Sequence, residues 1–539
     1  IDYAPFSGHK LYAPKGIGFL YVRQGTPYRP FIAGGGQESG LRSGTENLPG
    51  IAALHAIFTE LLKPSASAFV SVDQLWSYRA SLLAALRELF PAFELNSHEP
   101  DIVPTTINFA VPGFLSKDIL DLFDAGGIRV SAGSACSSKA SGSFVLDAMG
   151  LPAWRSLGAV RLSFGPASSQ AEIDAACAAL RRLIPVVQRC CLVLSNASDE
   201  LGTVQHGVTQ YKHEDYCSYL LVDAASRRAV IIDPVEPLIN RLVNLVQGQQ
   251  LELLAVLETH QHQDHPSVRQ ALLDILQMPL AVADAHGWPL ESDLLQLGQM
   301  QLSRLATPGH SLDSQSFLLQ QHGRICAAFV GDLLLPGGFG RLDLPGSDVE
   351  AFRQSLQQLH RCTDTSTLLL SCHDYAQRFF SQWQQVLEET PGIDALLAGS
   401  AVSQSFLQTL ANQTALLQSN ATYQCGVVEI SHSDAKALIG PEQIATLLAA
   451  IPGLQLVDVR EPHEQIAGEL EPLVPAGAMV AHWPLSRLCW GQISGALVPT
   501  TPLLLVCRSG NRSLLAARIL NRLGYNEVYN LKGGVALLS

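Results

Sequence analysis

The chain has 539 residues, nearly half of them apolar (47%) and few charged (15%), too many for one core and enough for about three to four packed domains. A net charge of −13 spread along the sequence argues against a nucleic-acid partner, and no apolar run approaches the roughly 18–20 residues of a membrane span. Eleven irregularly spaced cysteines, without a basic leader and apolar stretch at the start, point to a reducing cytoplasm and not to a disulfide framework.

The chain opens inside a motif, IDYAPFSGHKLYAPKG, with Ile1 and not Met, and is expected to lack a preceding stretch. The first segment, residues 1–187, is Gly-rich early and ends in an Ala-rich helical pattern, SQAEIDAACAALRRLIPVV. Lys10 follows Ser7 and His9, between a turn and a Gly-rich strand start, where a lysine can be desolvated and form a Schiff base. Three further pieces accompany it: GGGQESGLRSGTEN (34–47), VSAGSACSS (130–138) and VRLSFGP (160–166). Together they resemble the cysteine desulfurases of the class V aminotransferase fold, a PLP-dependent transferase of fold type I. The resemblance implies Lys10 as the PLP lysine, with Ser7 and His9 near the phosphate. It implies Thr45 at a phosphate site shared across a dimer interface, which allows a homodimer. Cys136 would be the nucleophile that takes sulfur, and Arg161 would clamp the substrate carboxylate. In that family the phosphate loop, the ring-stacking His and the Asp that pairs the pyridinium precede the lysine. PLP is therefore expected of the full-length family, and cysteine desulfuration is not expected of this chain.

Between about 200 and 395, short β-like runs alternate with polar loops: YLLVD, AVIID, LLAVLETH, RICAAFVGD and TLLLSCHDY. LETHQHQDHPS (257–267) places His260, His262, Asp264 and His265 just past the carboxyl end of an apolar strand, the edge where open sheets carry sites. ATPGHS adds His310 in a Pro-Gly turn, FVGD ends on Asp332, and SCHDY carries His373. Imidazoles with carboxylates suit Zn, Fe or Mn better than a structural cysteine site. This set resembles the metallo-β-lactamase superfamily and implies an αββα sandwich with the metal between two sheets. IIDPV, GDLLLPGGFGRLDL and CHDY are similar to its persulfide dioxygenases, including Arg341, a substrate-binding position, and Asp343 in GRxD. That resemblance implies Fe(II), with Zn the alternative, held by His260, His310 and Asp332. His262, Asp264, His265 and His373 would then form an outer layer, or a second metal site in a glyoxalase II-like hydrolase. Asp313 stands where the family commonly has Gly.

A polar, helical connector is expected over 396–424. From 425 to 539, LQLVDVRE and TPLLLVCRSGNRSLLAARILNRLGY have the strand–loop–helix rhythm of an α/β domain. The loop from Cys507 to Arg512 runs onto a helix N-terminus, so backbone amides face the sulfur. Arg508 and Arg512 add charge, which favours a thiolate or persulfide anion. LVDVRE, CRSGNRS and YNLKGGVALL resemble a rhodanese domain, which implies sulfur transfer through Cys507, with both arginines near the substrate. The usual GHIxGA spelling is replaced by EQIAGELEPLVPAGAMVAHWPL.

All three segments point to sulfane sulfur. The expected function is iron-dependent oxidation of glutathione persulfide, or a similar low-molecular-weight persulfide, by O2 to sulfite. Cys507 would exchange sulfur with sulfite and thiosulfate. The alternatives are a two-metal thioester hydrolase joined to a rhodanese, and a sulfur carrier without turnover.

Overall fold

The computed structural model describes residues 1–63, 67–97, 102–133, 142–194, 202–262, 265–277, 282–342, 344–390, 393–398, 438–470, 473–475 and 478–538. The chain divides into two compact units: residues 1–84, 102–107 and 163–177, and residues 85–101, 108–162 and 178–539. In the first unit a hairpin of β1 (Tyr3–Ser7) and β2 (Gly18–Val22) precedes helix α1 (Leu48–Leu61). The Asn47 side chain accepts from the Gly50 amide at 3.1 Å, a cap for α1. Two strands alone leave much of their surface open. Phe6, Phe19 and Tyr21 are all exposed.

Three short strands, β3 (Glu94–Leu95), β4 (Thr106–Ala110) and β5 (Val160–Ser163), form a sheet in that order. Helix α2 (Ser116–Ala125) follows β4 and buries Ile119, Leu122 and Phe123 on one face. The Asp118 carboxylate accepts from the Leu115 amide at 3.1 Å and closes its first turn.

From Gly207 the chain builds two sheets. One has the order β6 (Gly207–His213), β7 (Tyr216–Asp223), β8 (Arg228–Ile232), β9 (Glu252–Leu257). The other runs β10 (Leu294–Leu297), β11 (Met300–Ala306), β12 (Gln315–Gln321), β13 (Arg324–Gly331), β14 (Leu368–Ser371), β15 (Ser381–Gln382). The period of two along each strand decides the layers. Phe317 and Leu319 of β12 share one core with Tyr219, Val230 and Ile232 of the opposite sheet. Leu318, between them, packs outward on Phe352, Leu356 and Leu359 of α5 (Val349–Cys362). On the other sheet Leu220, Val222 and Ile231 pack outward with Leu242 and Val246 of α3 (Ile239–Gly248) and Leu272 of α4 (Arg269–Leu276). Burial on both faces explains why these strands read as near-continuous apolar runs. The layers are helix, sheet, sheet, helix.

The last segment is a parallel sheet ordered β16 (Leu438–Ile439), β20 (Val528–Leu531), β19 (Leu503–Val506), β17 (Gln455–Asp458), β18 (Val480–His482). Helix α6 (Pro462–Ala467) follows β17, and α7 (Asn511–Arg522) follows β19 with Ala516, Ala517 and Leu520 in the core. Buried Arg487 donates to the His206 carbonyl and to Thr209 Oγ1 at 3.3 Å, and the Trp490 ring lies 5.3 Å from that of His206. The core between the two sheets thus continues into this segment. Beyond Ala398 the connector expected over 396–424 lies outside the described residues. No helix among the described residues is long and apolar enough to cross a membrane.

Candidate metal centre and cysteine loop

Three parallel-paired strands end at one place. Beyond β9 come Thr259 and His260, beyond β13 comes Asp332, and beyond β14 come Cys372 and His373. The turn between β11 and β12 adds His310. Gly331, with φ +54°, lets β13 turn here; a Cβ would lie 2.7 Å from Thr259 Oγ1.

The ligand atoms of His260, His310 and Asp332 lie within 4.8 Å of one another. Asp332 Oδ2 is 4.0 Å from His260 Nε2 and 3.7 Å from His310 Nε2. These gaps are somewhat wider than the spacing of ligands that bind one cation at about 2.1 Å, within reach of a small inward shift. The neighbours fix which atoms face inward. His310 Nδ1 donates to the Arg341 carbonyl at 2.9 Å, which leaves Nε2 unprotonated and available to a metal. His373 Nδ1 donates to Asp332 Oδ1 at 2.8 Å, which leaves Oδ2 for the centre. Thr259 Oγ1 bridges His260 Nδ1 (3.2 Å) and the Asp233 carboxylate (3.0 Å).

Burial, helped by the nearby His262, brings the His260 pKa down to about 4, so the ring is neutral and able to ligate at ordinary pH. Burial alone would raise the Asp332 carboxyl; the facing His373, His310 and His260 outweigh it and hold Asp332 well below the usual range. Cys372 goes the other way: burial, then Asp332, push its thiol well above the ordinary value. Its Sγ lies 2.9 Å from Asp332 Oδ1, and it donates there.

The ring of His262 lies 4.1 Å from that of His260 and 4.2 Å from that of His265. Its side chain is buried, yet neither ring nitrogen has a hydrogen-bond partner; the nearest anion is Asp233 Oδ1, 3.7 Å from Nε2. Burial lowers its pKa, and Asp233 more than offsets this. His265 packs edge-on to Tyr216 at 4.9 Å. A cavity of about 350 Å³ opens beside His262, lined also by Glu258, Gln261, Ser267, Arg269 and Gln270. Asp264 and Asp343 lie outside the described residues. The Asp313 carboxylate accepts from the Gln261 amide at 2.9 Å, tying the His310 turn to the His260 loop.

The second site is local in sequence. Cys507 directly follows β19 and is fully buried. Its Sγ accepts from the Gly510 amide at 3.1 Å and from Ser513 Oγ at 3.3 Å. Gly510, at φ +91°, curls the loop onto the N-terminus of α7. The two arginines, expected from sequence beside the sulfur and its substrate, are turned to carboxylates. Arg512 makes a bidentate pair with Glu464, at 2.5 and 2.6 Å. Arg508 meets Asp121 at 2.8 Å and Asp124 at 3.4 Å, both on α2. Carboxylates buried this far need cations, and these arginines are among those within reach.

Lys10 sits in a short 3-10 helix, Gly8–Leu11, and is exposed, as are Ser7, His9 and Thr45. Among the described residues the hairpin leaves Lys10 open. Among the described residues these side chains form no enclosed seat for pyridoxal phosphate. Arg161 pairs backbone to backbone with Ser131, and its buried Nε has no hydrogen-bond partner. Cys136 lies outside the described residues.

The residues missed in the sequence are Asp233, Thr259, Cys372, Glu464, Asp121 and Asp124. The Asp-Pro break after the strand in IIDPV and the Thr of LETHQHQDHPS could have pointed to the first two. Nothing local marked the others.

Comparison with known proteins separates the segments. The class-V aminotransferase family model matches residues 1–176, and the rhodanese-like domain model matches 441–538. Cysteine desulfurase 2 of Trichormus variabilis is 37% identical over 206 residues, 38% of this chain and 50% of that protein. The cysteine desulfurase of Bradyrhizobium diazoefficiens is 38% identical over 192 residues, 34% of this chain and 46% of its own length. The chain thus spans about half the length of the curated relatives it matches. The crystal structure of ETHE1 from Myxococcus xanthus is similar over 38% of this chain and 97% of its own, at 26% identity and a TM-score of 0.31. For the middle segment the sheet order and layers given above establish an αββα sandwich. The chain thus carries a segment similar to class-V aminotransferases and a segment similar to rhodanese-like domains, with an αββα sandwich between them.

Proposed function

We propose that the middle segment, residues 200–395, oxidises a low-molecular-weight persulfide such as glutathione persulfide to sulfite, and that the segment 425–539 moves sulfur through Cys507. The observation that carries this reading is the face formed by His260 Nε2, His310 Nε2 and Asp332 Oδ2, with His373 holding the other Asp332 oxygen. Two imidazoles and one carboxylate suit Fe(II) and leave open positions. A ferrous ion held by His260, His310 and Asp332 would supply sites for O2 and for a persulfide sulfur. The protein does the rest: the Arg341 carbonyl and Asp332 fix the tautomers of His310 and His373, and Thr259 connects His260 to Asp233. The reaction balances as persulfide plus O2 plus water giving thiol, sulfite and two protons.

At Cys507 the outer sulfur of a cysteine persulfide passes to sulfite. One S–S bond breaks and one forms, thiosulfate leaves and the thiolate returns, with no external oxidant. The Gly510 amide and Ser513 hydroxyl, which already face Sγ, stabilise the anion. The segment 1–187 would contribute sulfur from cysteine in a protein that completes the desulfurase fold, with Cys136 as nucleophile.

The test is oxygen consumption with glutathione persulfide on iron-reconstituted protein. Uptake with one iron per chain supports the reading. Two metals per chain with thioester cleavage would replace it by a hydrolase, a reading favoured by the unpartnered, buried ring nitrogens of His262 beside His265.

A further inference from the structure

The loop that holds Cys507 is built to attract anions, yet its outer cation is already taken. Arg508 leaves the loop one residue after the cysteine and is a third exposed, the group a small anion would meet first. Its carboxylate partners, Asp121 Oδ1 at 2.8 Å and Asp124 Oδ2 at 3.4 Å, lie one turn apart on α2. α2 belongs to the aminotransferase-type segment, far away in sequence. Asp121 Oδ2 also reaches Arg512 at 3.5 Å, and Arg512 in turn holds Glu464 of α6. Both aspartates are buried, their side chains 6% and 9% exposed. The other cations on them are Lys117 at 3.9 Å on Asp121 and Arg129 at 2.9 Å on Asp124. The backbones are close as well: at Gly468, just past α6, a Cβ would stand 2.7 Å from the Ala125 carbonyl. Beneath this cover Cys507 has no exposed surface.

We infer that Asp121 and Asp124 act as a charge gate that determines which reagents reach Cys507. With α2 docked, the carboxylates offset the charge of Arg508 and weaken its pull on free anions such as sulfite and thiosulfate, so neutral thiols and disulfides are favoured. When α2 parts from the loop, Arg508 is released and the anionic reagents gain most. This rests on the sulfur-transfer reading for its biological sense, but not for its geometry. Asp121 and Asp124 touch no reacting atom; they act through Arg508.

The experiment uses the full chain and two alkylating agents of similar size, neutral iodoacetamide and anionic iodoacetate, with modification of Cys507 followed by peptide mass. In Asp121→Asn/Asp124→Asn, the ratio of iodoacetate to iodoacetamide rates should rise by about tenfold, the low end of electrostatic focusing. Asp124→Asn alone, the milder change, should move the ratio the same way and serves if the double variant does not fold. Asp124→Glu, which keeps the charge, should leave it near the wild-type value. An unchanged ratio, or equal acceleration of both reagents, overturns the gate; equal acceleration would mean that the helix only loosens. Persulfide formation on Cys507 from thiosulfate is measured in parallel. A shifted ratio without any persulfide leaves the gate standing and removes the sulfur-transfer reading; persulfide with an unshifted ratio does the reverse.

Discussion

The metal centre and the cysteine loop are built by opposite means. Around Cys507 the ligand-facing groups come from seven consecutive residues, Cys507 to Ser513, and two are the Gly510 amide and the Ser513 hydroxyl. A helix N-terminus supplies this geometry wherever the chain turns onto it. Around Asp332 the groups come from residues 233, 259, 260, 310, 332, 341 and 373, brought together by two sheets. A loop site survives small shifts of the sheets around it, whereas a site of converging strand ends depends on all of them.

That contrast can be broken by experiment. The largest effect is expected at Asp332, the one carboxylate in the face. Asp332→Ala should weaken iron binding by more than ~100-fold, above the range seen for outer partners, in a metal titration. The same variant should leave persulfide formation on Cys507 unchanged; a parallel loss there would show that the two sites are not separate. Cys507→Ser should abolish thiosulfate formation while oxygen uptake stays within about twofold. If uptake fell equally, the division of labour would be wrong.

A smaller effect concerns acid stability of the last segment. Burial holds the folded pKa of His463 at about 4, against 6.5 for an open imidazole. The unfolded chain therefore takes up this proton from about pH 6.5 downward, and the folded chain only below about 4. Stability falls with pH across that window, by roughly 3 kcal/mol from this one group. Next to it, Glu464 is drawn down to about 2 by Arg512 despite its burial, against 4.5 in an open chain. The stabilisation from Glu464 is complete above about 4.5 and is lost as pH falls toward 2. Urea midpoints against pH should slope between 6.5 and 4, and His463→Gln should lessen that slope, the remainder belonging to His260. The smallest change is expected for Asp233→Asn. Asp233 reaches His260 through Thr259, so metal affinity should drop by about tenfold with the three-residue face otherwise intact.

Much of this contrast was legible in the sequence, unevenly. The runs YLLVD, AVIID, LLAVLETH, RICAAFVGD and TLLLSCHDY lie along strands β7, β8, β9, β13 and β14, because strands buried on both faces must be apolar throughout. The loop spelling CRSGNRS carried its geometry with it, since Gly510 and the helix start are neighbours of Cys507. Where the two arginines point was not legible. Their partners, Glu464 and Asp121, stand 48 and 391 residues from Arg512. Nor did SGHK reveal that Lys10 would lie exposed, since exposure depends on what covers a hairpin and not on its own residues.

By itself the sequence determined the local devices: strand character from apolar runs, the cysteine cradle from one loop, and a set of imidazoles and carboxylates fit for a metal. Only the tertiary structure decided how they are used. It gave Asp332 one oxygen for His373 and one for the centre, left His262 buried without a hydrogen-bond partner, and set two aspartates of α2 on Arg508. The physical reason is range: backbone geometry and hydrophobic period act over a few residues. The pairing of buried charges is settled by whichever groups the packed sheets and helices bring within a few ångströms.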